Sequence, residues 1–204
     1  MRLLLIRHGH SHHAVTNTIA DLRGCQGLTP EGLAQARALS ERVRRWPDAA
    51  EWPILLSSPV PRARQTAEVL REALRLDAIV PVPDLREQVP GEADGLQRGA
   101  YRARYGTFNP QHEPDRPFSP GGESWKDFES RVAWTLEELA QRYAGRNVLA
   151  VTHAGFIVTA FLKLLAITAW DRAWLDPSNT GITEWRYDDA RWRLGRYNDT
   201  SHLA

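Results

Sequence analysis

The chain has 204 residues, 42% hydrophobic and 25% charged, with a formal net charge of +1. That size and balance suit one soluble domain with a substantial core, and the near-zero charge gives no sign of a nucleic-acid or membrane surface. One cysteine, Cys25, excludes an intrachain disulfide and a zinc site built from thiolates.

The chain opens on a short apolar run, Leu3 to Ile6, which suits a central parallel strand and is too brief for a helix. It is also too short for a secretory h-region, and no stretch approaches the ~20 apolar residues of a membrane span, so the expected location is cytoplasmic. The run stops at Arg7-His8-Gly9-His10, where a glycine permits a sharp turn and close approach of a substrate. A polar loop, about His10 to Leu28, follows. Thr29-Pro30-Glu31 reads as a helix start, with Thr as N-cap and Pro at the first helical position. Leu33, Ala36, Leu39 and Val43 continue at helical spacing until Trp46-Pro47.

Ile54-Leu55-Leu56 reads as a second strand, ending at Ser57-Ser58-Pro59, with a helix resuming through Ala63, Ala67, Leu70 and Leu74. Ile79-Val80-Pro81-Val82 reads as a third short strand. From Pro83 to Gly122 periodicity fails, apart from a short helix near Ala100–Tyr105; a connection that long is usually functional. A long amphipathic helix follows Ser124, with Phe128, Val132, Leu136, Leu139 and Tyr143 on its apolar face. Trp125 and Trp134 share that helix and read as packing residues. Val148 to Val151 form a fourth strand, ending at Thr152-His153-Ala154-Gly155, and a mostly apolar helix runs from Phe156 to about Ala166. Gly181 to Tyr197 alternates around Asp188-Asp189 as a hairpin. Alternating strands and helices imply an α/β fold with a mostly parallel sheet covered on both faces. Ligands bind such sheets at the carboxyl ends of strands.

Three strand ends carry phosphate-suited residues: Arg7-His8-Gly9, Ser57-Ser58-Pro59-Val60-Pro61-Arg62-Ala63, and Val151-Thr152-His153-Ala154-Gly155. Their order and spacing resemble the histidine phosphatase superfamily, also called phosphoglycerate mutase-like. The resemblance spans nearly the whole chain and implies a three-layer α/β/α sandwich with one antiparallel strand. It further implies that His8 is a nucleophile that takes up a phosphoryl group, with Arg7, Arg62 and His153 stabilising its oxygens and Ala154 beside them. No metal or cofactor is called for, since two Arg and a second His meet the charge of a transferring phosphoryl group. The resemblance also implies an acid in the segment after the third strand. Glu87 is assigned, with Glu92 and Asp94 as rivals. Where the family usually has Glu or Gln after Arg-His-Gly, this chain has His10; Asn17 is the loop's candidate for a phosphate contact.

The expected function is a metal-independent phosphomonoesterase acting on a small phosphorylated metabolite, in one domain over 1–204 whose segment of about 84–122 is an insertion over the site. Three alternatives stand beside it: a mutase, usually longer; a metal-dependent hydrolase using the cluster His8, His10, His12 and His13; and a catalytically weak phospho-ligand binder. Arg98, Arg102, Arg104 and Arg116 could suit a second anionic group, although exposed Arg on a short helix is the plainer reading. A homodimer is left open.

Overall fold

The structure, a computed structural model, describes residues 1–46, 51–168 and 175–204; Pro47, the expected helix stop, lies outside them. Six strands form one sheet: β1 (Arg2–Arg7), β2 (Ile54–Ser57), β3 (Val80–Pro81), β4 (Asn147–Thr152), β5 (Ile182–Asp188) and β6 (Arg191–Asp199). Their spatial order is β3-β2-β4-β1-β5-β6. The first four are mutually parallel, while β5 runs antiparallel to β1 and pairs with β6 as the hairpin expected at the C-terminus.

The helices are α1 (His12–Val15), α2 (Pro30–Arg44), α3 (Pro61–Leu74), α4 (Arg98–Tyr105), α5 (Trp125–Arg142) and α6 (Ala154–Leu164). Side chains alternate across each strand, so the sheet sends successive residues to opposite faces. Leu4, Ile6, Leu55, Leu149 and Val151 pack against α2 and α3 through Leu39, Val43, Ala63, Ala67 and Leu70. Leu3, Leu5, Leu56, Val148 and Ala150 pack against α5 and α6 through Phe128, Val132, Leu136, Phe156 and Ala160. Burial on both faces is why β1 and β4 read as unbroken apolar runs rather than as alternation. The result is the expected three-layer sandwich.

Caps set the helix starts. The Thr29 hydroxyl accepts from the Gly32 N–H at 3.1 Å, with Pro30 at the first helical position. Ser124 and Asp127 form a reciprocal capping box that starts α5 at Trp125. Trp134 does not pack: it is 55% exposed. The polar loop after β1 also holds one helical turn, α1, that the sequence reading leaves as loop. No helix among the described residues is long and apolar enough to cross a membrane.

Register brings the three motifs together. Arg7 lies beside Thr152 in the β1–β4 pair, and Ser57 beside Val151 in the β2–β4 pair. The carboxyl ends of β1, β4 and β2 are therefore neighbours, and the segments that leave them converge on one spot.

Candidate active site

A cavity of about 290 Å³ opens above those strand ends, lined among others by Arg7, His8, His13, Arg62, Glu87 and Ala154. His8 is buried, and its two ring nitrogens are assigned by their partners. Nδ1 lies 2.7 Å from the Gly9 carbonyl, which can only accept, so Nδ1 carries the proton. Nε2 is then a lone pair, and the Arg62 Nε–H donates to it at 3.0 Å. Burial, then the charges of Arg62 and Arg7, hold His8 well below the ordinary imidazole value. A neutral ring with an unprotonated Nε2 is the form a nucleophile needs.

Arg62 comes from the first turn of α3 and is also buried. Besides His8 it donates to the Ala20 carbonyl at 2.7 Å and to His153 Nδ1 at 3.0 Å. His153 is fully buried. Accepting at Nδ1 leaves its Nε2–H to donate to Ser58 Oγ, 2.9 Å away. Burial and Arg62 keep it neutral as well. Its ring centroid is 5.2 Å from that of His8. Expected directly on the phosphoryl oxygens, His153 instead has both nitrogens engaged by protein groups and reaches the cavity through Arg62.

Arg7 donates to the Pro177 carbonyl and sits 3.9 Å from Asp176. Its Nε is buried with no acceptor among the described residues. The loop before β5 secures the backbone here: the Asn179 amide donates to the His8 carbonyl at 2.9 Å, and the Thr180 N–H to the Arg7 carbonyl at 3.0 Å. Gly9 has a different purpose from the one expected. A Cβ there would lie 2.5 Å from the Gly32 carbonyl, so the missing side chain serves the approach of α2, not of a substrate. The Gly9 N–H donates to Thr66 of α3.

Of the three candidate acids, one reaches the cavity. Glu87 Oε2 accepts from the Gly155 N–H at 2.9 Å, in the first turn of α6. Its backbone is held by Arg131 of α5, which donates to the carbonyls of Arg86 and Glu87, both at 3.1 Å, and pairs with Glu123. Glu92 is exposed and paired with Arg104, and the Asp94 carboxylate accepts from the backbone of Asp21, Arg23 and Gly24. Both are loop braces.

Two loop residues point elsewhere. The His10 Nδ1 faces the Thr29 hydroxyl at 2.9 Å and does not line the cavity. Asn17 is exposed, with φ of +52°, and Thr18, Ile19 and Ala20 line the wall in its place. The cavity histidine of this loop is His13, carried inward by α1, with Nδ1 2.6 Å from the buried Ser11 hydroxyl. Burial and the nearby Arg62, Arg7 and Arg98 push it down to about 3. The sequence barely signals His13: α1 is only four residues long, and the Ser11 hydroxyl makes no capping hydrogen bond but meets the His13 ring. His8 and His13 thus share the cavity, with ring centroids 5.9 Å apart, while His10 and His12 do not line it, and no group of three or more His, Cys, Asp or Glu among the described residues is placed to hold a metal ion.

Comparisons with known proteins give the family and the fold. The sequence profile of the histidine phosphatase superfamily (branch 1) matches residues 3–200. A metal-independent phosphoserine phosphatase of Arabidopsis thaliana is 28% identical over 99% of this chain and 83% of its own length. Two solved structures superpose over nearly the full chain. One is a phosphoserine phosphatase from Entamoeba histolytica in complex with 3-phosphoglyceric acid, with TM-score 0.78 and 25% identity over 100% of this chain and 99% of that one. The other is the α-ribazole phosphatase of Shigella flexneri, with TM-score 0.83 and 21% identity over 98% and 97%, a likeness of fold.

Proposed function

The chain belongs to the histidine phosphatase superfamily, branch 1, and from that membership we propose the part each of its own residues plays in hydrolysing a small phosphomonoester without a metal. The His8 Nε2 lone pair attacks phosphorus in line with the ester oxygen. An N–P bond forms as the P–O bond breaks, and the departing electron pair takes the proton of the Glu87 carboxyl. A leaving alkoxide needs that proton, because general-acid help is worth about 10²–10⁴-fold.

Phosphorylated imidazole carries positive charge, and the Gly9 carbonyl on Nδ1–H is placed to stabilise it. Arg62 must release Nε2 as the substrate arrives, and its N–H groups turn onto phosphoryl oxygens, joined by the unpartnered Nε of Arg7. His153, tied to Ser58, holds Arg62 in place. In the second step water attacks phosphorus and gives its proton to the Glu87 carboxylate, while the N–P electrons return to Nε2. The segment of about 84–122 acts as the site's cover, supplying Glu87, Gln88, Pro90, Arg98 and Phe118 to the cavity wall.

The observation that carries this reading is the fixed tautomer of His8, with its lone pair in a cavity that also holds Glu87. The test is hydrolysis of an aryl phosphate near pH 6, with and without a strong chelator, by wild type and His8→Ala. Activity that survives the chelator and disappears in His8→Ala is the expected result. Activity that persists in the variant, or is lost to the chelator, overturns the mechanism.

A further inference from the structure

Three side chains expected at the phosphoryl oxygens do not reach them. His153 is engaged at both nitrogens, His10 faces Thr29, and Asn17 is exposed. Arg62 and Arg7 remain, against the three equatorial oxygens of a transferring phosphoryl group. The cavity wall holds one further imidazole, His13, for which the mechanism above has no use.

The turn of α1 sets His13 beside the nucleophile. The ring centroids of His8 and His13 are 5.9 Å apart, with the ring planes at 60°. A group seated on His8 therefore meets the His13 ring. Ser11 locates the proton on that ring. This serine is 1% exposed, and its hydroxyl has one hydrogen-bond partner among the described residues, His13 Nδ1 at 2.6 Å. An Nδ1–H aimed at Ser11 would strand the buried hydroxyl proton without an acceptor, so the hydroxyl donates and Nδ1 accepts. The ring proton is then on Nε2, which has no partner among the described residues, and the ring edge bearing it is left to the cavity. Burial, with Arg62, Arg7 and Arg98 nearby, pushes His13 down to about 3, so near neutral pH it is an uncharged N–H donor. A donor held in place beforehand needs no reorganisation when charge develops beside it.

We propose that His13 is a further catalytic residue, whose Nε2–H donates to a non-bridging oxygen of the phosphoryl group as it moves onto His8, with Ser11 as its positioning residue. This rests on the phosphatase reading above. The two fail separately, because anion binding tests the contact and aryl phosphate turnover tests the chemistry.

The experiment is calorimetric titration with orthovanadate, which adopts the five-coordinate geometry of phosphoryl transfer, beside aryl phosphate hydrolysis near pH 6. Wild type, His13→Phe and His13→Gln are compared. Phe keeps a ring and loses the N–H, whereas the Gln amide reaches about as far as Nε2 and keeps a donor. His13→Phe should lose about 10–10²-fold in both orthovanadate affinity and kcat/KM, the scale of one charge-assisted hydrogen bond. His13→Gln should recover most of that loss. A packing role would give the reverse order, since Phe fills the space of the ring better. A His13→Phe protein within about threefold of wild type, a Gln variant no better than Phe, or a wild type that binds no orthovanadate overturns the proposal. Wild type that binds orthovanadate without turning over aryl phosphate overturns the mechanism instead, and the titration still decides the contact.

Discussion

Replacing Arg62 with Met tests the centre of the site most severely. The guanidinium makes three buried hydrogen bonds, to His8 Nε2, His153 Nδ1 and the Ala20 carbonyl. Its hydrogen-bond partners are all formally neutral, so in the free enzyme it is a buried cation with no carboxylate bonded directly to it among the described residues. When a phosphoryl group binds, two of those donors become charge-assisted bonds worth about 1.5–3 kcal/mol each. Losing both should lower kcat/KM by about 10²–10⁴-fold. The stability effect is opposed. Unpaired acceptors cost about 1–3 kcal/mol each, but removing a buried charge recovers a desolvation penalty of several kcal/mol. The unfolding midpoint should therefore stay within a few degrees of wild type while activity collapses. A second signature follows from electrostatics. Arg62 helps hold His8 and His153 in their neutral forms, so without it both take up protons more readily. The acid limb of the kcat/KM–pH profile must then move to higher pH. The assay is aryl phosphate hydrolysis from pH 4 to 8 beside thermal unfolding of the same samples. A variant within tenfold of wild type, or one with an unmoved acid limb, refutes the assignment of Arg62.

Glu87→Gln keeps an acceptor for the Gly155 N–H but cannot give up a proton, so alkyl phosphate turnover should fall about 10²–10⁴-fold, with a smaller loss on aryl phosphates, whose leaving groups need less help. Gly155→Ala places a Cβ on the Glu87 carboxylate; activity measurements should show the same preferential loss on alkyl esters, with little change in unfolding. Gly9→Ala should lower stability by about 1–3 kcal/mol in urea unfolding, because its Cβ meets the Gly32 backbone and α2 must shift. Acid should destabilise the fold early. His8 and His153 lie well below 6.5, His13 at about 3 and His202 at about 4 in the folded chain. A depressed folded value means stability that is complete above the unfolded value near 6.5 and drains away as pH falls below it, by up to about 1.4 kcal/mol per pH unit for each histidine. Urea midpoints at pH 7, 6 and 5 check this; a flat series would refute it.

What the sequence disclosed, and what it hid, follows from how far each signal reaches along the chain. Leu3 to Ile6 and Val148 to Val151 are buried on both sides, so their apolar runs mark the central strands, and the polar residues just after each run mark the site. Arg7 and His8 sit at such an end, Arg62 follows in the first turn of α3 and Glu87 in the segment after β3, and the four meet in the cavity. Direction is another matter. Whether His10 or His13 faces inward depends on one turn of helix after Ser11, which four residues of sequence barely specify. Asn17 fails for the same reason, since its left-handed backbone turns it to solvent. Gly9 was legible as a required glycine but not as to which neighbour requires it, because Gly32 comes close only once α2 has packed. Asn179 and Arg131, which hold the His8 and Glu87 backbones, act through contacts 171 and 44 residues away in the chain.

The two borders of the sheet bear on how copies of this chain can associate. β3 is only two residues long and ends in Pro81, which has no N–H to offer a neighbour. β6 is longer, but it is studded with charge, Arg191 together with Arg193, paired to Asp188, and Arg196, paired to Glu184 and Asp199, and a charged border discourages an added strand. Both borders thus oppose a continuous intermolecular sheet. Among the described residues, amyloid-style stacking therefore meets proline or charge at both edges of the sheet.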